Sequence, residues 1–268
     1  MMKKILKYVF ILFLAVCFLL PFLIMIFSSF KVTTYALLDP LFWLPDDPSL
    51  HNFLYLMRNN NFLRWIMNSI IITVIPVFSQ MFFAGLLGYI FARKQFPGRE
   101  VIFWIFMAVI MIPSQLLIIP KFIMFSKFGW INHYQALIVP ELWGIMGVFL
   151  VRQFMLGIPM ELEEAARMDG ANDFQVFWKV YLPLSLPALA TVGTFEFVGN
   201  WNNLFQPLIY MTSEDMFPIT VGLASTLSKE GNFGIEMAGA TLSFLPTFLI
   251  FLFFQKYFTE GIQLTGLK

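Results

Sequence analysis

Six long apolar stretches follow one another along the chain, separated by shorter polar segments. Tyr8–Phe30 holds 23 uncharged residues, Trp65–Phe91 holds 27, Val101–Pro120 holds 20 and Met237–Gln255 holds 19. Tyr134–Val151 holds 18 residues with Glu141 as its one charge, and Leu184–Thr212 holds 29 with Glu196 as its one charge. A hydrocarbon core about 30 Å thick takes roughly 20 apolar residues as a helix. Backbone amides in lipid must be bonded within the segment, and no stretch shows the apolar/polar alternation of a barrel strand, so all six are predicted to be helices. The expected fold is an all-α membrane protein with six transmembrane helices in a single transmembrane domain, residues 1–268. The first stretch opens on Lys3, Lys4 and Lys7 as a signal peptide does, but it is long and ends in Phe27-Ser28-Ser29-Phe30 with no small-x-small cleavage site, so it reads as a retained helix.

Composition agrees: 59% of residues are hydrophobic and 12% charged, against about 45–50% and about 25% in a soluble domain, which excludes a soluble globular enzyme. A net charge of +1 gives no attraction to nucleic acid. The single cysteine, Cys17, lies in an apolar run and excludes disulfide frameworks and cysteine-based zinc sites; His51 and His133 are far apart, and no metal site is expected. With the N-terminus in the cytoplasm, 11 of the 17 basic residues fall inside, among them Lys3, Arg93, Lys94, Arg152, Arg167 and Lys268, while the outer segments carry Asp39, Asp46, Asp47, Glu214, Asp215 and Glu230. The expected topology is therefore N-in/C-in. Two outer segments, Lys31–Arg64 with Pro40, Pro45 and Pro48, and Ser213–Gly234, are long enough to do more than connect.

The most polar stretch, Arg152–Leu182, is placed inside. Pro159 suits the first turn of a helix, and Glu161, Glu163 and Glu164 follow where the helix dipole favours anions. Glu163 and Arg167 are spaced as a supporting pair, and Gly170 suits the left-handed residue that ends such a helix. Asn172 with Gln175 three residues on reads as a capping box opening a second short helix, Asp173–Tyr181, which stops before Pro183. Phe174, Phe177 and Trp178 give that helix a large apolar surface, to be covered either by a partner or by the membrane interface.

The run Glu164-Ala165-Ala166-Arg167-Met168-Asp169-Gly170-Ala171, followed by Leu182-Pro183-Leu184 and Pro187, resembles the EAA loop of permease subunits of ATP-binding-cassette (ABC) importers. Within that family the chain is similar to the second permease of sugar importers of the maltose-transporter type: Asn68-Ser69, Phe96-Pro97-Gly98-Arg99, Ile112-Pro113-Ser114-Gln115, Arg152-Gln153-Phe154 and Trp201-Asn202-Asn203 carry the likeness. The resemblance implies the type I importer architecture in the cytoplasmic membrane of a prokaryote. It implies a homologous permease partner, two ATPase subunits and an extracytoplasmic sugar-binding protein, with ATP and Mg held on the ATPase. It implies that Glu164, Ala165, Ala166, Asp169, Gly170 and Ala171, with Phe174 and Phe177, form the surface that docks on the ATPase, and that the tail Phe258–Lys268 reaches the same subunits. The outer segment Ser213–Gly234 matches the part that meets the binding protein. No G-x-x-x-x-G-K-[ST] run occurs, so no phosphate-cradling loop is present and the energy must come from another chain.

Glu196, Asn200 and Asn203 recur at helical spacing within an apolar stretch, with Trp201, Asn202 and Gln206 beside them. A buried charge costs about 2.5–3.5 kcal/mol at the bilayer centre on insertion scales, so these residues face protein or water. One reading is a translocation path lined by Glu196, Asn200, Trp201 and Asn203; the other is a set of polar locks between helices. A secondary transporter or channel would account for the spans but not for the loop, and a membrane-embedded enzyme lacks a nucleophile-and-base arrangement.

Overall fold

The computed structural model describes residues 2–32, 44, 45, 47–58, 61–230 and 232–265. Asp39, Pro40, Asp46 and the tail end Gly266–Lys268 lie outside the described residues. Among the described residues every regular element is a helix. In chain order they are α1 Met2–Ser29, α2 His51–Arg58, α3 Phe62–Arg93, α4 Arg99–Ile110, α5 Ile118–Lys127, α6 Gln135–Ile138, α7 Ile145–Leu156, α8 Glu161–Met168, α9 Asp173–Val176, α10 Leu182–Leu184, α11 Leu186–Trp201, α12 Phe205–Tyr210, α13 Ile219–Glu230 and α14 Phe233–Thr265.

Among the described residues four helical stretches are long and apolar enough to cross a bilayer: Lys4–Ser29, Phe62–Arg93, Gln135–Leu156, which takes in α6 and α7, and Phe233–Tyr257. Two further spans require bent pairs, Arg99–Ile110 with Ser114–Lys127 at 84° and Asp173–Leu184 with Leu186–Trp201 at 71°. The window of α1 with a mean hydropathy of 3.1 buries none of its residues within the chain.

The continuous helix expected over Val101–Pro120 is thus interrupted. Pro113 supplies no amide hydrogen and disfavours helical backbone at Ile112, so α4 ends at Ile110 and a tight turn at Ser114–Leu117 redirects the chain into α5. The expected helix over Tyr134–Val151 also breaks, at 142–144, where Gly144 is extended (φ −134°, ψ 133°). The freed carbonyls there are met from α3: Ser79 Oγ donates to the Leu142 carbonyl (2.7 Å) and Gln80 Nε2 to that of Glu141 (3.0 Å). Non-helical backbone at membrane depth requires such partners. The expected span over Leu184–Thr212 stops at Trp201 and resumes as α12.

The chain divides into two compact units. The first, residues up to Ile66 together with Pro218–Pro246, is closed by glycines at close approaches: a Cβ on Gly222 would stand 2.1 Å from the Trp65 ring, and one on Gly234 2.1 Å from the Lys31 carbonyl. Asn52, fully buried, donates to the carbonyls of Ser29 (2.9 Å) and Lys31 (2.8 Å).

The second unit, Met67–Phe217 with the chain from Thr247 on, packs α3, α7 and α11 around Ala84, Val151, Met155, Val192 and Leu189. Small residues set the spacing, as expected where lipid tails compete equally with apolar side chains. A Cβ on Gly88 would lie 2.8 Å from Val151, and one on Gly147 3.0 Å from Val192. Near its other end Asn132, at φ 62°, accepts from the amides of Thr212 (2.9 Å) and Ser213 (3.0 Å) and fixes the start of the segment that follows α12.

Candidate functional site

The polar loop forms a helix pair on the surface of the second unit. α8 starts two residues after Pro159, with Met160 as its cap, and its closing glycine has the expected conformation: Gly170 has φ 83° and its amide donates to the Arg167 carbonyl (3.0 Å). The capping box is complete, since Asn172 Oδ1 accepts from the Gln175 amide (2.9 Å) while Gln175 Oε1 accepts from the Asn172 amide (3.0 Å). The helix beyond it differs from expectation. It widens into a π turn at Phe177–Tyr181 and runs on through Pro183 to Leu184. The wider turn relaxes the requirement for a regular i→i−4 partner, which proline cannot supply.

The residues of the motif separate into two layers. Glu164, Ala165, Asp169, Gly170 and Phe174 are exposed; Ala166 and Ala171 are half-buried and pack against the core of α3, α7 and α11. Phe174 is 69% exposed and meets the half-exposed Trp178 edge to face (5.9 Å). Phe177, expected on the docking surface, is 2% exposed and packs on Tyr89 (5.4 Å), so it anchors the loop instead of presenting it. Helical periodicity from Phe174 allowed either position; the core of the second unit decides it.

Beneath the exposed layer lies a polar network that local spacing revealed only in part. Glu163 is 3% exposed; it accepts from Tyr181 Oη (2.8 Å) and from Arg167 Nε (3.1 Å) and Nη2 (2.8 Å). Arg167 also reaches Asp173 (2.5 Å), and Lys94 Nζ, just past the end of α3, pairs with the same oxygen of Asp173 (2.7 Å). Arg93 donates to the carbonyls of Met155 and Ile158 and lies 5.0 Å over the Tyr181 ring. The basic pair Arg93-Lys94 at the end of an apolar run was the available signal, and it bears on topology without naming a partner.

The hydrogen bond from Lys94, then that from Arg167, holds the Asp173 carboxyl below its usual value of 3.8. Burial alone would lower Lys94, but its hydrogen bonds to Asp173 and Tyr89 outweigh that and raise it above its usual value of 10.5. A depressed carboxyl contributes stability above its unfolded pKa, lost as pH falls through the folded one; a raised ammonium contributes below its unfolded pKa, lost as pH rises through the folded one. The pair is therefore intact between roughly pH 4 and pH 10. Limited proteolysis of the loop should give one pattern at pH 5 and pH 8 and open only in stronger acid; a change between pH 5 and pH 7 would show that this pair does not hold the loop.

The polar residues at membrane depth divide differently. Gln80 Nε2 donates to Glu196 Oε2 (2.8 Å), joining α3 to α11. Asn200 Nδ2 turns back to the Glu196 carbonyl (3.0 Å), and Asn203 Oδ1 accepts from the Gln206 amide (3.3 Å) at the start of α12. Asn200, Asn203 and Gln206 border a cavity of about 10 Å³ with Ile72, Leu137 and Pro207, room for at most one water. Trp201 is only 3% exposed and its ring stacks on Phe197 (5.6 Å, 8° between planes), so it stands apart from that group. Among the described residues no cluster of histidine, cysteine or carboxylates has metal-binding geometry.

Residues 84–263 match the family described as binding-protein-dependent transport system inner membrane component. Over 265 residues the chain is 35% identical to the arabinooligosaccharides transport system permease protein AraQ of Halalkalibacterium halodurans, covering 97% of this chain and 94% of that one. It is 32% identical over 264 residues to AraQ of Bacillus subtilis, again over 97% and 94%. Its fold is similar to the crystal structure of a bacterial ABC transporter involved in the import of the acidic polysaccharide alginate, with a TM-score of 0.82, 26% identity and 96% of each chain covered. The anchored EAA loop, the apolar helices and these likenesses lead to one conclusion: the chain belongs to the family of binding-protein-dependent transport system inner membrane components, the non-catalytic permease subunits of ABC importers.

Proposed function

We propose that this permease takes up a saccharide of oligosaccharide size, delivered by an extracytoplasmic binding protein, through alternating access with a homologous permease and two ATPase subunits that hold ATP and Mg. The observation that carries the reading is the layered loop: Glu164, Ala165, Asp169, Gly170 and Phe174 are exposed on a helix pair whose underside is pinned by Glu163, Tyr181 and Phe177. A rigid, small-residue turn with one aromatic beside it fits a cleft in a partner surface. The relatives' names, arabinooligosaccharide permeases in two bacteria, support the substrate class. The chain is read as a single transmembrane domain of six spans with both termini in the cytoplasm, two of the spans bent. The test is co-purification of the chain with an ATPase and a binding protein, followed by uptake of labelled arabinotriose in proteoliposomes. An assembled complex that moves no saccharide would overturn the substrate class.

Glu196, Asn200 and Asn203, with Gln80 and Gln206, are read as this subunit's side of the path; the stacked, buried Trp201 is left out. Glu196→Ala removes the acceptor of Gln80 and should change the rate of uptake or the preference among oligosaccharides about 5–10-fold. An unchanged profile for arabinotriose, maltotriose and chitobiose would reduce Glu196 to a lock between α3 and α11.

A further inference from the structure

Three polar contacts of α3 fall at three depths of the second unit. At one end, Asn68, 2% exposed, donates to the carbonyls of Asp215 (2.9 Å) and Phe217 (2.9 Å) and accepts from Tyr134 Oη (2.7 Å). In the middle, Ser79 and Gln80 bind the broken backbone at Glu141 and Leu142, and Gln80 also binds Glu196. At the far end Lys94 pairs with Asp173, Tyr89 packs on Tyr181 (5.0 Å), and Arg93 binds the end of α7. From Asn68 to Arg93 the helix rises about 38 Å at 1.5 Å per residue. That is nearly the full depth of a bilayer with its headgroups, about 40–45 Å.

Apolar packing brings helices together in lipid without a hydrophobic driving force of its own, and directional hydrogen bonds add a constraint on their axial position. A shift of α3 by 1–2 Å, the size of helix displacement typical of switching proteins, breaks hydrogen bonds at all three depths together. Pro76, between the outer and middle contacts, permits a change of direction there without a change of length.

We propose that α3 from Asn68 to Arg93, with Lys94 just past its end, is the rod by which the cytoplasmic loop, the mid-membrane polar group and the outer segment 215–217 move as one two-state element, with Lys94, Gln80 and Asn68 as its positioning residues. The proposal rests on the reading of the loop as the ATPase-docking surface. Lys94 receives the displacement of α8 and α9 through Asp173, and Asn68 delivers it to the outer segment.

The test uses the complete transporter in proteoliposomes and reads the ratio of ATPase rates with and without binding protein loaded with arabinotriose. Lys94→Met should lower that ratio about tenfold, and Lys94→Arg, which keeps the charge beside Asp173, should restore it. At the other end Asn68→Ala, and Tyr134→Phe as a milder change should the first not assemble, should lower it as well. Lys94→Met combined with the outer variant should be no worse than Lys94→Met alone, since one broken rod cannot be broken twice. Full stimulation in Lys94→Met, failure of Lys94→Arg to rescue, or losses that multiply in the double variant would each overturn the rod while leaving the docking reading intact. Absence of an ATPase from the purified wild-type complex would overturn the docking reading and the rod with it.

Discussion

Gly170→Pro should abolish uptake, by a factor on the order of 100, while the chain still inserts in the membrane. Gly170 sits at φ 83°, and proline holds φ near −65°, so the turn between α8 and α9 cannot keep its path. The substitution also removes the amide that donates to the Arg167 carbonyl. With the turn redirected, Asp173 no longer meets Arg167 and Lys94, and the exposed face of Glu164, Ala165 and Asp169 loses its shape. Asp169→Lys tests the same surface without touching the backbone, because Asp169 is an exposed cap residue. Both variants are to be measured for membrane content and for arabinotriose uptake. Normal uptake in both would remove the loop from coupling.

The second large effect separates two neighbouring glutamates. Glu163→Ala leaves the Tyr181 hydroxyl buried without its acceptor and frees Arg167 from its buried partner, a cost of about 3 kcal/mol. Glu164→Ala, one residue on and exposed, should cost under about 0.5 kcal/mol. Thermal unfolding in detergent should therefore show a marked fall for the first and none for the second, whereas uptake should fall in both. Equal melting temperatures would mean that Glu163 is not the anchor of the loop.

The contrast also shows what the amino-acid pattern could disclose. Hydropathy revealed where the chain enters the bilayer, because a span has to be apolar over its whole length. It was silent about the breaks at 111–113, 142–144 and 202–204, because a helix with partners for its freed carbonyls is as apolar as one without a break. The caps at Gly170 and Asn172 were readable since they depend on residues three or four apart. Lys94 with Asp173, Gln80 with Glu196 and Asn68 with Phe217 were not, since each pair is joined only by tertiary structure. Phe177, expected on the docking surface, and Trp201, expected along the path, are both buried, because the packing of neighbouring helices that decides this has no local signature.

The first helix separates what lipid holds from what the rest of the chain holds. Its most apolar window has no buried residue within the chain, while its end, at Ser28 and Ser29, is buried and tied to Asn52. Its basic start and its transfer free energy favour insertion with that start in the cytoplasm. That preference is written in a segment that takes no part in the core holding α3, α7 and α11 together. Reversing the charges at Lys3, Lys4 and Lys7 should therefore weaken the preference of that end for the cytoplasm, read as labelling of an N-terminal tag from the outer side.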